Sequence, residues 1–277
     1  MEEVIKRWSE TAPYWEKHRA TIREMFAPVT QALIEEAQIT RGSVVLDVAT
    51  GPGEPALAIA ELVGSEGKVL GIDAVPEMVE AARREAQRRK LHNARFAVAQ
   101  ADRLPAEANG VDAVVSRFGI MFFPAPVGAV REMLRVLKPG GRMAFAVWHF
   151  AERNPFHYIV SRAIERYIDS PPPAADAPDA FRFAEPGKLR AILSEAGAAA
   201  VSERLLQFSI RAQVSLEEFW TLRSEMSERL RSKLAQLTTE QMAEVKREAI
   251  CAFRTYLVDG EVTVPAEVLI VAGKKVS

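Results

Sequence analysis

Between about residue 44 and residue 148, short apolar runs alternate with amphipathic stretches, and this rhythm organises the chain. Runs rich in Val, Ile, Leu and Ala at 44–48, 68–72, 94–99, 111–116 and 142–148 have the length and composition of strands. The intervening stretches 55–63, 76–89 and 126–137 have helical composition and spacing. Strand–helix alternation at this pitch predicts a parallel sheet with crossover helices. Upstream, residues 2–37 read as amphipathic helix, broken near Pro13 and Pro28.

After Trp148 the rhythm changes. The run Ser-Pro-Pro-Pro-Ala-Ala-Asp-Ala-Pro at 170–178 cannot be a regular helix or a central strand. A helix is predicted over 188–196, ending at Gly197, with strands at 200–210 and 262–272. Two helices are expected between those strands, opened by capping boxes at Ser215 with Glu218 and at Thr238 with Gln241. Helices inserted between two strands of a sheet form a natural lid over its ligand edge; packing on the sheet or on a second subunit is the alternative.

Composition narrows the class. With 48% hydrophobic and 26% charged residues, the 277-residue chain can bury a sizeable core and is not a disordered one. A formal net charge of −1 asks for neither nucleic acid nor an anionic membrane surface. The arginine run at 83–90 lacks the interleaved aromatics that stack on bases, so it reads as a solvated helix face. No apolar stretch of about 20 residues could span a bilayer and no signal peptide is evident, so a cytoplasmic location is the default. The single cysteine, Cys251, excludes an internal disulfide and cysteine-rich metal sites, and the four histidines lack ligand spacing, so no metal is implied.

The chemistry begins in the segment VVLDVATGPGEPALAIA, a strand, a glycine turn and a helix. Gly51 and Gly53 let the backbone turn sharply and a ligand approach closely. Twenty residues beyond Gly53, the next strand ends at Asp73, where a carboxylate can accept hydrogen bonds from a ribose diol. This much also satisfies a G-x-G-x-x-A dinucleotide pattern, which on its own is weak. Three further features bear on the choice. Asp47 stands four residues ahead of Gly51, where it can face a cationic ligand group. Ala101-Asp102 follows the third strand, where a carboxylate can accept from an adenine amino group. Lys138-Pro139-Gly140-Gly141 stops a helix and turns into the fifth strand.

Taken together, these motifs resemble the class I S-adenosylmethionine (SAM)-dependent methyltransferases, in particular the small-molecule enzymes related to the ubiquinone/menaquinone C-methyltransferases. The resemblance covers about residues 40–150. It implies an α/β, Rossmann-like fold: a seven-stranded, mostly parallel sheet with helices on both faces and an antiparallel last strand. The expected organisation is an N-terminal helical cap (1–37), a SAM-binding core (38–150), a lid connection (151–187), completion of the core sheet (188–211 and 259–277) and a helical lid insertion (212–258). It further implies that Asp47, Ala49, Gly51 and Gly53 form the cofactor loop and that Asp73, with Ala74, holds the ribose. Met78 is expected to pack on the adenine, with Ala101, Asp102 and Arg103 at its edge. Ala49 departs from the glycine of many members, as it does in the ubiquinone-type members. S-adenosylhomocysteine (SAH) would be the product.

For the acceptor end, the carboxyl ends of the strands select Arg117 and Phe118, then Trp148, His149 and Phe150. His149 is the first candidate general base and His157 the second, since an imidazole titrates near neutrality. Arg117 could fix an acceptor carboxylate or phenolate, or the carboxylate of SAM. By the resemblance, Tyr14 or Trp15 would face the methyl-bearing sulfur. Small-molecule methyl transfer to O, N, S or C is the expected activity, and the apolar insertion is compatible with a homodimer. The alternatives are a SAM-binding regulatory or accessory module without turnover and an NAD(P)-dependent oxidoreductase. No tyrosine is followed by lysine four residues on, which removes the short-chain dehydrogenase form of the latter.

Overall fold

The computed structural model describes residues 2–169, 174 and 176–276, with the backbone alone for 2–4. Three helices lead in: α1 (Glu2–Lys17), α2 (Arg19–Met25) and α3 (Ala27–Glu36). The predicted break near Pro28 is present, with Pro28 in the first turn of α3. The break near Pro13 is not, because α1 runs through it and the chain bends at His18. A proline inside a helix loses one backbone hydrogen bond. Here the apolar stripe of Ile5, Trp8, Ala12 and Trp15, packed against Val75 and Met78, holds the helix together despite that loss.

The core then follows as β1 (Val44–Val48), α4 (Ala56–Val63), β2 (Lys68–Asp73), α5 (Pro76–Arg88), β3 (Ala94–Val98), β4 (Val111–Arg117), α6 (Pro126–Val136) and β5 (Leu137–Trp148). The second half adds α7 (Pro155–Glu165), α8 (Lys188–Ala196), β6 (Ala199–Ala212), α9 (Leu216–Glu225), α10 (Glu228–Leu234), α11 (Thr239–Arg254), β7 (Leu257–Val258) and β8 (Glu261–Lys274). Much of the proline-rich connection at 170–178 lies outside the described residues.

Strand order is β3-β2-β1-β4-β5-β8-β6, parallel except for β8, which runs antiparallel to both β5 and β6. The central strands are buried on both faces, as parallel strands covered by helices must be: Val45, Leu46, Val114 and Val115 are each at most 1% exposed. One strand more is present than expected. Leu257–Val258 folds back on Glu261 and Val262 through Asp259-Gly260, both at positive φ, the signature of a tight hairpin turn. Both expected capping boxes form, at Ser215 and at Thr238.

Because β1 pairs with β2 on one side and β4 on the other, the chain reverses its direction of winding there. The crevice outside the carboxyl ends of β1 and β4 is where an open α/β sheet binds its ligand. The Lys138–Gly141 segment differs from the expected turn. Leu137 already pairs with Val111 and the next pair is Arg142 with Ala113, so the glycines form a bulge inside β5, with Gly140 at φ 77°.

Candidate functional site

The first turn after β1 folds around Asp47. Its Oδ2 accepts from the Thr50 hydroxyl at 2.6 Å and from the Ala56 N–H at 3.1 Å, closing the glycine turn and capping α4. Its Oδ1 is buried and has no hydrogen-bond partner among the described residues. Burial pushes this carboxyl up to about 7, against the Thr50 hydrogen bond and the attraction of Arg117. The side chain lies one layer beneath the crevice, not on its wall.

Gly51 and Gly53 have different work. A Cβ on Gly51 would meet nothing within 4 Å, because that side opens into the crevice. A Cβ on Gly53 would stand 2.7 Å from Leu57 Cδ1 and 3.2 Å from the Ala82 Cβ, at φ 110°. Gly53 therefore serves the packing of α4 against α5, and Gly51 serves the ligand side.

At the end of β2, Asp73 accepts the Gly51 N–H on Oδ2 at 2.8 Å and the Val75 N–H on Oδ1 at 3.0 Å. Each oxygen keeps a second lone pair, and the residue borders the crevice together with Ala74 and Met78. Burial pushes its carboxyl up to about 6, opposed by those backbone hydrogen bonds. Ala101 and Asp102 border the same space, whereas Arg103 is exposed and lies off the wall.

This space belongs to one cavity of 1580 Å³. At its far end the aromatic rings collect. Phe118 and Trp148 stack with centroids 4.6 Å apart and planes 3° from parallel, and Phe156 and Phe26 close the cluster. Arg117 donates to Thr30 Oγ1 at 2.8 Å and lies 5.7 Å from the Phe26 ring, its pKa depressed by burial against the pull of Glu54 and Asp47.

Two candidates from the sequence point elsewhere. Trp148 faces the cavity, so its neighbour His149 faces the other side of the strand. There its Nδ1 lies 2.8 Å from Glu267 Oε2 on β8. His157, one turn into α7, takes the cavity position instead: its ring meets Trp148 edge-on at 4.4 Å and its Nε2 is buried without a partner. Burial and nearby Arg223 hold its pKa well below the ordinary histidine value, so it is neutral at pH 7. Tyr14 likewise turns away, beneath the Arg231 guanidinium at 4.7 Å. Trp8, Thr11 and Trp15 share the helix face that borders the cavity. Arg223 had no sequence signal as a site residue, because its helix was legible only through its apolar face.

Asp73 and the open side of Gly51 border the crevice, with the buried Asp47 carboxylate beneath them. Residues 39–167 match a family model described as a methyltransferase domain. Aklanonic acid methyltransferase DauC of Streptomyces sp. (strain C5) is 38% identical over 122 residues, 44% of this chain and 56% of that protein. A demethylmenaquinone methyltransferase of Listeria welshimeri is 31% identical over 144 residues, 52% of this chain and 61% of that protein. The chain thus spans little more than half the length of these relatives. The Bacillus subtilis YcgJ protein shares the fold, with a TM-score of 0.57 at 20% identity over 91% of this chain and 99% of that one. Over residues 39–167 the chain is thus similar to methyltransferase domains, including those of a demethylmenaquinone methyltransferase and an aklanonic acid methyltransferase.

Proposed function

We propose that the chain transfers the methyl group of SAM to a small organic acceptor held between the aromatic cluster and helices α9–α10. The observation that carries this reading is the continuity of the cavity from Asp73 and Gly51 to Trp148 and His157. Its 1580 Å³ exceeds the roughly 300–1,000 Å³ of a pocket for one small ligand, so it has room for two side by side.

When bound, SAM supplies an electrophilic methyl group on a positively charged sulfur. The protein's own part is to orient, to shield and, for acceptors with a proton to lose, to take it. Asp73 would hold the ribose hydroxyls through its remaining lone pairs, Met78 would pack on the base, and Asp102 would accept from its amino group. Asp47 would set the loop from below. His157 borders the cavity and is neutral at pH 7; it could take an acceptor proton only after its ring turns the buried Nε2 toward the acceptor.

Helices α1, α9 and α10 form the shield in this reading. The Trp15 indole N–H donates to the Met226 carbonyl at 3.0 Å, and Lys17 and His18 both reach Glu225, at 2.8 and 2.6 Å. These contacts tie the N-terminal cap to the inserted helices, which suits a lid that keeps water from the transfer.

The test is calorimetry with SAH and with nicotinamide dinucleotides, followed by a screen of acceptor classes for SAH release from SAM. Saturable SAH binding and turnover with one class are expected. Preference for a nicotinamide cofactor would overturn the reading, and SAH binding without turnover on any class would favour the accessory-module alternative.

A further inference from the structure

The far end of the cavity contains a cation without a counter-ion. Arg223 on α9 borders the cavity and is only 6% exposed. Its Nε donates to the Phe156 carbonyl at 2.6 Å, and its guanidinium lies 5.0 Å from the Phe156 ring. Neither Nη has a hydrogen-bond acceptor among the described residues, and no described carboxylate pairs with it. Burial lowers its pKa to about 10, and no acidic group offsets the effect. It stays charged at neutral pH, and a buried charge left unpaired is costly unless a partner arrives.

That partner does not belong to the cofactor end. Asp47 and Glu54, under the glycine loop, both act electrostatically on Arg117, yet neither acts on Arg223. Arg223 instead stands beside His157, whose pKa it depresses. Trp148 and Phe156, nearly buried themselves, stand beside both, and Phe118 and Phe181 line the same stretch of the cavity. A planar fork of N–H donors in an aromatic-lined cavity suits a carboxylate attached to a ring.

We propose that the acceptor is an aromatic carboxylate, its ring among the aromatic side chains that line this part of the cavity and its acid group paired with the Nη atoms of Arg223. The acid is an anchor and not the methylated atom, since pairing with a guanidinium withdraws charge from its oxygens. The proposal rests on the methyltransferase reading for the cofactor half of the cavity.

The experiment uses the full chain saturated with SAH and two probes of equal shape, 2-naphthoate and 2-naphthamide, with binding followed by tryptophan fluorescence and calorimetry. Naphthoate is expected to bind at least about tenfold tighter, the usual advantage of a charge-assisted hydrogen bond over a neutral one. Arg223→Met should abolish the preference, Arg223→Lys should keep most of it, and SAH affinity should stay the same in both. Equal binding of the two probes by the native protein overturns the proposal without recourse to any variant. So does a preference that survives in a folded Arg223→Met, or a loss of SAH affinity in it, which would give the arginine to the cofactor. Failure to bind SAH at all would instead overturn the cofactor reading.

Discussion

The imidazole of His157 meets the indole of Trp148 edge-on, with ring centroids 4.4 Å apart. This contact puts His157, and not His149, on the aromatic wall of the cavity. If the acceptor loses a proton during transfer, His157→Ala should lower kcat by roughly 10²–10⁴. SAH affinity should not change. His149→Ala should leave turnover close to native, since its Nδ1 is engaged with Glu267 on the other side of the strand. Steady-state kinetics on both variants decides the matter; the opposite ranking would return the base role to His149.

Asp73 holds two backbone amides, that of Gly51 after β1 and that of Val75 after β2. Asp73→Ala should therefore lose both the ribose contacts and the shape of the loop. Two hydrogen bonds to a charged acceptor correspond to a loss of SAH affinity of about 100-fold or more. Calorimetry that finds native affinity in a folded variant would sink the ribose role.

The two buried aspartates make ligand binding depend on pH. Burial raises Asp47 to about 7 and Asp73 to about 6, above an ordinary value of 3.8. Groups whose folded pKa is raised stabilise the unliganded protein most below about 4, and that contribution is lost as pH rises through 6 and 7. A cationic ligand and a hydroxyl donor both favour the ionised forms, so SAH affinity should climb from pH 5 to pH 8 and binding should release protons. Enthalpies measured in buffers of different ionisation heat detect that release. Asp47→Asn should flatten the upper part of the profile. Glu85 acts in a separate window: hydrogen bonds from Arg88 depress it to about 2, so its contribution is lost only as pH falls from 4.5 toward 2.

The two loop glycines should separate stability from binding. Gly53→Ala forces a Cβ within 2.7 Å of Leu57 at φ 110° and should lower stability by about 1–3 kcal/mol in denaturant titrations. Gly51→Ala places its methyl in open space at φ 57° and should cost less stability but more SAH affinity. Equal effects of the two substitutions on stability and binding would contradict this division.

Much of the architecture could be read along the chain. Residues 44–48 form a strand within the expected limits, and α8 and both capping boxes fall where the pattern put them. The reason is local: period, cap chemistry and turn residues act over a few positions, and here they agree with the packing. That Gly51, Asp73 and Met78 lie along one edge of the cavity follows from the same local motif, on one strand–turn–helix–strand unit.

What only the tertiary structure decided is direction. His149 and Trp148 are adjacent in sequence, and strand alternation sends one to Glu267 and the other into the cavity. Tyr14 and Trp15 divide in the same way around α1. Asp47 was recognisable as part of the loop, but its place beneath the crevice depends on Thr50 and Ala56 closing over it. The unpaired charge of Arg223 arises only when α7 and α9, 67 positions apart at Phe156 and Arg223, come together with no acid between them. A sequence specifies which residues can carry chemistry; the packing of distant elements specifies which of them face the same cavity.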